Sequence, residues 1–468
     1  RDACETRKIF TAKRGVVFMS VQDFGNLIPR NYKTDYKVAV RGEGIYIYDE
    51  DGTPYIDGCS GALISSVGHG NRAVVDAIVR QLETLEFAHP SRWKIPVVLE
   101  AAEEIASITP GDVKAVWLVS GGSEAVESAI KFSRQYFVER DGIQTSKSII
   151  IGRWNSYHGS TLGTMAVAGN MPRRRIFLPL FQESPKIQPH YCYRCPYGQS
   201  YPTCGLRCAW ELESTIKRIG PQYVAAFIAE PVVGATVGAL QPPKEYWPIV
   251  RDICIRYDVL LIADEVMTGI GRTGKAFCVD HWDVVPDIIC SAKALSGGYS
   301  PVGGMFVRTP LAEVIQKGSG AFSHGHSYNG NPVTAAAIVA TIRFIKENNL
   351  FENAAIQGDY LGRKMESLMD NPIVGDVRGL GLMRGVEIVQ NKKTREPFNA
   401  SAQATQKLIQ ECMARRLVVY PGTGQVDGVS GDQFMIAPPL VIQKDEIDDL
   451  FSRLEEALKA TAASLPHQ

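Results

Sequence analysis

The sequence predicts an α/β architecture, a mostly parallel sheet with helices on both faces, and three observations lead to it. Short apolar runs recur at 148–152, 224–229, 259–263, 288–291 and 304–307. Helical or loop segments separate most of these runs, and apolar strands alternating with helices describe a sheet buried on both sides. Charged or aromatic residues stand just after four of the runs (Trp154 to Gly159, Glu230, Asp264-Glu265 and Lys293). Open α/β sheets bind their ligands at those carboxyl ends.

Along the chain, residues 36–58 alternate apolar and polar side chains around Asp51-Gly52, the pattern of a β-hairpin. From about 72 to 140 helical spacing dominates. Val126, Ile130 and Phe137 share one helix face behind the turn Gly121-Gly122-Ser123. The five apolar runs follow. Residues 335–345 read as a long buried helix. The C-terminal part, 345–468, mixes amphipathic helices with short strands at 417–420 and 433–436, a second and smaller α+β unit. The chain shows no internal repeat or low-complexity segment.

Composition narrows the function classes. The 468 residues suffice for two or more domains. Fifty basic residues balance fifty acidic ones, which argues against nucleic acid or an anionic membrane as the main partner. No apolar stretch reaches the roughly 18 residues that span a bilayer. The N-terminus lacks the apolar core of a signal peptide, and residues 1–14 are mildly basic. Ten cysteines are too few for a disulfide scaffold, so a reducing, cytoplasmic-type compartment is expected; the basic N-terminal segment keeps a mitochondrial address open.

Four features carry chemistry. Val119 to Ala125 is a small, glycine-rich turn feeding a helix, so its free N–H groups, the helix dipole and the Ser123 hydroxyl make an anion site; a plain helix N-cap is the alternative. In Trp154 to Gly159, an aromatic could stack on a planar cofactor with His158 beside it, or simply pack. Lys293 ends an apolar strand, where partial loss of water favours the neutral, nucleophilic amine that a Schiff base needs. Asp264 would hold a pyridine nitrogen protonated, so that the charged ring acts as an electron sink. A salt bridge between Asp264 and Lys293 would leave the glycine turn and Tyr157 unexplained. Together the four features describe a pyridoxal phosphate site.

Eight segments, in order, make the likeness specific: RGEGIYIYDEDGTPYIDG, SGGSEAVESAIK, SYHGST, AEPVVGA, LIADEVMTGIGRTG, DIICSAKALSGGYSPVGG, GHSYNGNP and IAPPLVI. From about residue 30 to 460 the chain resembles the class III aminotransferases, the ω-aminotransferase group of fold-type I pyridoxal 5′-phosphate enzymes. The resemblance implies a large cofactor-binding domain, 71–340, with a mostly parallel sheet of the seven-stranded type. It also implies a smaller α+β domain built from both termini, 1–70 and 341–468. Lys293 resembles the Schiff-base lysine that also moves the proton, and Asp264 the partner of the ring nitrogen. Tyr157 and Val266 would sandwich the ring, with His158 beside it. Gly122 and Ser123 would hold the phosphate. Glu230 would sit near the ring hydroxyl and the substrate side.

Three positions depart from the family pattern. Ser327 stands where a threonine is common; its hydroxyl would reach the phosphate of the neighbouring subunit's cofactor, which implies a homodimer or a larger assembly. Leu63 and Met435 replace a frequent tryptophan and a carboxylate-binding arginine, which implies a roomier, more apolar substrate pocket. The cluster Cys192, Cys195, Cys204 and Cys208 has C-x2-C-x8-C-x3-C spacing and suggests a structural zinc, with disulfides or free thiols as the alternatives.

The expected activity is transfer of an amino group from an amine or ω-amino acid to a small 2-oxo acid such as pyruvate or 2-oxoglutarate. An epimerase, decarboxylase or aminomutase on the same scaffold is the runner-up, and a non-catalytic binding protein is the reading from another class. Glu265, the neighbour of Asp264, has no expected catalytic role.

Overall fold

The computed structural model describes residues 24–34 and 36–466, so the basic segment 1–14 and its targeting expectation lie outside the described residues. Three strands open the fold: β1 (Ala39–Glu43), β2 (Tyr46–Asp49) and β3 (Pro54–Asp57). They run antiparallel. The expected hairpin is the β2–β3 pair, and Gly52 turns it at φ +79°, a left-handed value that glycine adopts without strain.

Seven strands form the central sheet: β4 (Val113–Val119), β5 (Ile149–Arg153), β6 (Lys186–Ile187), β7 (Val224–Ala229), β8 (Leu260–Asp264), β9 (Ile288–Ala292) and β10 (Gly303–Arg308). Their order is β4-β10-β9-β8-β7-β5-β6. Strands β5 to β9 are parallel, and β10 runs antiparallel to both neighbours. Every residue of β7, β8 and β9 is buried, as strands covered on both faces require. The helix Gly122–Asp141 packs its buried side, including Val126 and Phe137, on one face of this sheet. The helices Arg207–Ile219 and Tyr246–Arg256 contribute to a second apolar layer with Phe227 and Leu261.

Strand β4 corrects the reading of 72–140 as mainly helical. It lies between the helices Pro96–Ile108 and Gly122–Asp141 as the edge of the sheet. Its interior is only half-buried, and a seven-residue run of that kind carries too little periodicity to separate strand from helix.

The long helix Pro332–Glu347 follows, opened by the Asn331 side chain, which accepts from Thr334 N at 2.9 Å. Five strands then appear: β11 (Val374–Leu380), β12 (Met383–Ile388), β13 (Leu417–Val418), β14 (Tyr420–Thr423) and β15 (Asp432–Ile436). The run at 417–420 splits between two sheets. β13 joins β3 in parallel, whereas β14 enters a sheet of order β11-β12-β15-β14. The pairing of β13 with β3 ties C-terminal chain to the N-terminal strands.

Candidate active site

A cavity of about 470 Å³ opens at the carboxyl ends of β8 and β9. Its wall includes Gly122, Ser123, Tyr157, His158, Glu230 and Val266, together with Asp264 and Lys293. Residues far apart in sequence meet here because parallel strands all end on the same edge of the sheet.

Asp264 is the last residue of β8 and is 3% exposed. One carboxylate oxygen accepts from the Val266 N–H at 3.1 Å, and the other lies 2.7 Å from His158 Nδ1. A carboxylate only accepts, so Nδ1 carries the proton of that bond. His158 Nε2 is buried and has no hydrogen-bond partner. Glu265, one residue on, faces the other way, as alternation along a strand dictates. Its carboxyl pairs with the Thr268 hydroxyl and accepts from the Val279 N–H at 2.9 Å. Burial pushes it up to about 7.

Lys293 follows β9 in a left-handed conformation, φ +50°, unusual for a lysine and costly unless the surroundings hold it. Its amine forms no hydrogen bond or ion pair with the described residues; in particular, no salt bridge joins it to Asp264. Loss of water pushes its ammonium down to about 8, against the opposing pull of Asp264. Glu230, just past β7, is pushed up to about 7, chiefly by burial. Its two oxygens accept only long bonds, 3.4 Å from Tyr157 N and 3.4 Å from Gly234 N.

The glycine turn lies where β4 meets the helix Gly122–Asp141, whose first N–H groups have no intrahelical acceptor. Ser123 Oγ accepts from Ser160 N at 3.0 Å, which ties this turn to the segment that carries Tyr157 and His158. Gly159 makes the approach feasible: at φ +135°, a Cβ there would lie 2.5 Å from Ser123 Oγ. A Cβ on Gly122 would lie 3.1 Å from a Val266 methyl, so glycine keeps the floor of the turn open.

The remaining sequence candidates lie elsewhere. Ser327 is exposed and outside the cavity, beside Phe87, His89 and Tyr328. Leu63 and Met435 are fully buried in an apolar cluster with Met267 and Met383. Neither is part of the cavity wall; Met267 is the member of that cluster on the wall, and Ile64 stands there instead of Leu63. Sequence reasoning missed Met267, Thr268 and Ser300 as wall residues. Their places within the segments around Asp264 and Lys293 were the available signal.

The zinc expectation finds no support. The four cysteines are free thiols around one small cavity, and burial pushes Cys208 up to about 12. Yet no group of three or more His, Cys, Asp or Glu among the described residues is arranged to hold an ion. Spacing fixes which thiols come near one another, not where each sulfur points.

Comparison with known proteins agrees with this geometry. Residues 27–458 match the family described as Aminotransferase class-III. An uncharacterized aminotransferase of Bacillus subtilis, YodT, is 38% identical over 94% of this chain and 98% of its own. The putrescine–pyruvate aminotransferase of Pseudomonas aeruginosa is 36% identical, covering 92% of this chain and 94% of its own. The crystal structure of a thermostable (S)-enantioselective ω-transaminase from Thermomicrobium roseum superposes with a TM-score of 0.88 at 34% identity, over 94% of this chain and 98% of that one.

Proposed function

This chain belongs to the class-III aminotransferases, and from that premise we propose that it transfers an amino group from an amine or ω-amino acid to a 2-oxo acid such as pyruvate, with Lys293 as its catalytic base. As a member of that family it is a transaminase and uses pyridoxal phosphate. When bound, that cofactor supplies an aldehyde for the amino group and a protonated ring that draws off electrons.

The residues present fit such a group. A lysine without a partner faces a carboxylate across one cavity, His158 Nε2 is unsatisfied, and Gly122 leaves the anion turn open. In this reading Gly122 and Ser123 bind the phosphate through the helix N-terminus. Tyr157 and Val266 hold the ring between them. Asp264 keeps the ring nitrogen protonated, and the hydrogen bond from His158 fixes the orientation of its carboxylate. Lys293, pushed down to about 8, carries a neutral fraction of roughly one fifth at pH 7.4, far more than an ordinary lysine. In that neutral form its amine would accept the proton from the substrate carbon that bears the amino group and later return it. Glu230, pushed up to about 7, borders the ring hydroxyl and the substrate side without adding a full negative charge there.

One observation carries the proposal: Lys293, unpartnered and held in a left-handed backbone, on the same cavity as buried Asp264. The test is spectroscopic. Adding putrescine or an ω-amino acid without an acceptor should convert the visible absorbance of the purified protein to that of the pyridoxamine form. Pyruvate or 2-oxoglutarate should then restore it. An unchanged spectrum together with racemised substrate would refute transamination.

The proposal includes a homodimer in a cytoplasmic-type compartment. Ser327 lies beside Tyr328 and near the segment that carries Trp93, two aromatics 62% and 67% exposed, more than a lone surface readily keeps in water. Its hydroxyl would reach the phosphate held by the neighbouring subunit. Light scattering should give twice the 51.3 kDa chain mass, and Ser327→Ala should weaken cofactor retention about tenfold, the loss of one charge-assisted hydrogen bond. A monomeric active protein would contradict this.

A further inference from the structure

An acid substrate sets this cavity a problem that its wall does not solve. Every 2-oxo acid carries a carboxylate next to the carbonyl that reacts. Taking that group out of water requires a partner of opposite charge. The wall offers the carboxyl groups of Glu230 and Asp264 and one ammonium, Lys293, which the chemistry already engages. Met435, on β15, contributes no cation.

Building on the transaminase reading, we propose that Arg173 receives the carboxylate of acid substrates, both the 2-oxo acid acceptor and the amino acid formed from it. Arg173 sits in the short helix Met171–Arg174, where its backbone N–H donates to the Asn170 side chain at 3.1 Å. Its guanidinium carbon lies 4.7 Å from the centre of the Tyr157 ring, and Tyr157 forms part of the cavity wall. Nη2 is 3.5 Å from the Tyr420 hydroxyl on β14. Both neighbours are neutral, and no carboxylate among the described residues lies within ion-pair distance of Arg173.

The adjacent arginines are engaged in a way that Arg173 is not. Arg174 is buried, pairs with Glu183 and donates to Ala168 O at 2.7 Å. Neither Arg173 nor Arg175 is itself part of the wall; Arg175 reaches toward Gly428 O at 3.5 Å, whereas Arg173 lies over the wall residue Tyr157. The charge of Arg173 is felt at the reacting amine: after burial and Asp264, it is the next influence on Lys293, lowering its affinity for a proton. Arg272 has a weaker effect of the same sign. It is buried, however, and its guanidinium is held by Leu382 O at 3.2 Å, by Pro438 O and by Ser60 Oγ at 3.3 Å. Arg173 is therefore the arginine that stands beside the wall, over Tyr157, with no carboxylate partner among the described residues, and a planar fork matches a carboxylate with two parallel bonds.

The test compares two half-reactions in Arg173→Ala, Arg173→Gln and Arg173→Lys. For Arg173→Ala, the pyruvate concentration giving half-maximal return of the visible spectrum should rise about 10- to 100-fold. The half-reaction with an aliphatic monoamine, which has no carboxylate, should change at least tenfold less. Arg173→Lys should recover part of the loss, since it keeps the charge but not the fork. Propionate, which has nothing that can react, should raise the Tm of the wild-type protein more than that of Arg173→Gln. Equal losses in both half-reactions would overturn the proposal, because Arg173 would then act by holding Tyr157. So would an unchanged pyruvate dependence. A wild-type protein inactive in both half-reactions would instead refute transamination, and the propionate comparison would still decide the role of Arg173.

Discussion

Replacing Lys293 with alanine should abolish turnover, with kcat lower by on the order of 10⁴-fold or more, while the protein still binds pyridoxal phosphate without a covalent bond. Two functions end at one nitrogen, attachment of the cofactor and proton transfer at the substrate carbon, and no other side-chain amine among the described residues forms part of the cavity wall. Reduction with borohydride, which locks the cofactor onto the wild-type protein, should leave none attached to Lys293→Ala. The same nitrogen sets a pH dependence. Lys293 is pushed down from 10.5 to about 8, so its nucleophilic form grows as pH rises through that value. Cofactor uptake by cofactor-free protein should rise from pH 7 to 9 and level off above. The stability linkage has a definite sign too: between about 8 and 10.5 the unfolded chain holds more protons at this residue. Cofactor-free protein therefore gains stability from Lys293 as pH rises across that window, and loses it as pH falls. Lys293→Met should flatten the profile there. Normal turnover in Lys293→Ala would remove the residue from its role.

Asp264→Asn should lower kcat by roughly 10³-fold and leave the size of the site unchanged, the order seen when one preorganised electrostatic partner is lost. The amide cannot hold a proton on a ring nitrogen by charge, so the electron sink weakens. It also changes the pairing with His158 Nδ1, which lies 2.7 Å from the carboxylate. Asp264→Glu, with the charge kept but displaced, should fall between the two. The comparison with Glu265→Gln is informative because the two acids are adjacent. Glu265 serves the loop through Thr268 and Val279, so its replacement should appear in Tm rather than in kcat. Equal effects on kcat from 264 and 265 would mean that the carboxylate acts through the loop and not on the ring.

The two acids also show where sequence reading is strong. Short apolar runs are local objects. Strand period, run length and the ligand-binding edge of a parallel sheet together point to Asp264 and Lys293 before any coordinates exist. Seven strands were less evenly legible. The runs that became β5, β7, β8, β9 and β10 were read within about a residue, because strands buried on both faces are apolar throughout. β4 was absorbed into helical territory, and β11 and β12 escaped notice. The segment 374–388 carries four glycines, which blur a strand pattern.

What the sequence by itself determined is the class of chemistry: a lysine, a carboxylate, an anion turn and an aromatic, each at a strand or helix end. Local periodicity and turn composition encode those positions, so one chain suffices to read them. Tertiary structure alone decided which neighbours face the cavity. It put Ile64 and Met267 on the wall and placed Leu63 and Met435 behind it. It also gathered four thiols around one small cavity, and it brought Arg173 against Tyr157 and toward Tyr420, 247 residues further along the chain. Contacts of that kind depend on how separate elements are oriented toward one another, and spacing along a chain fixes side-chain faces within an element but not between elements.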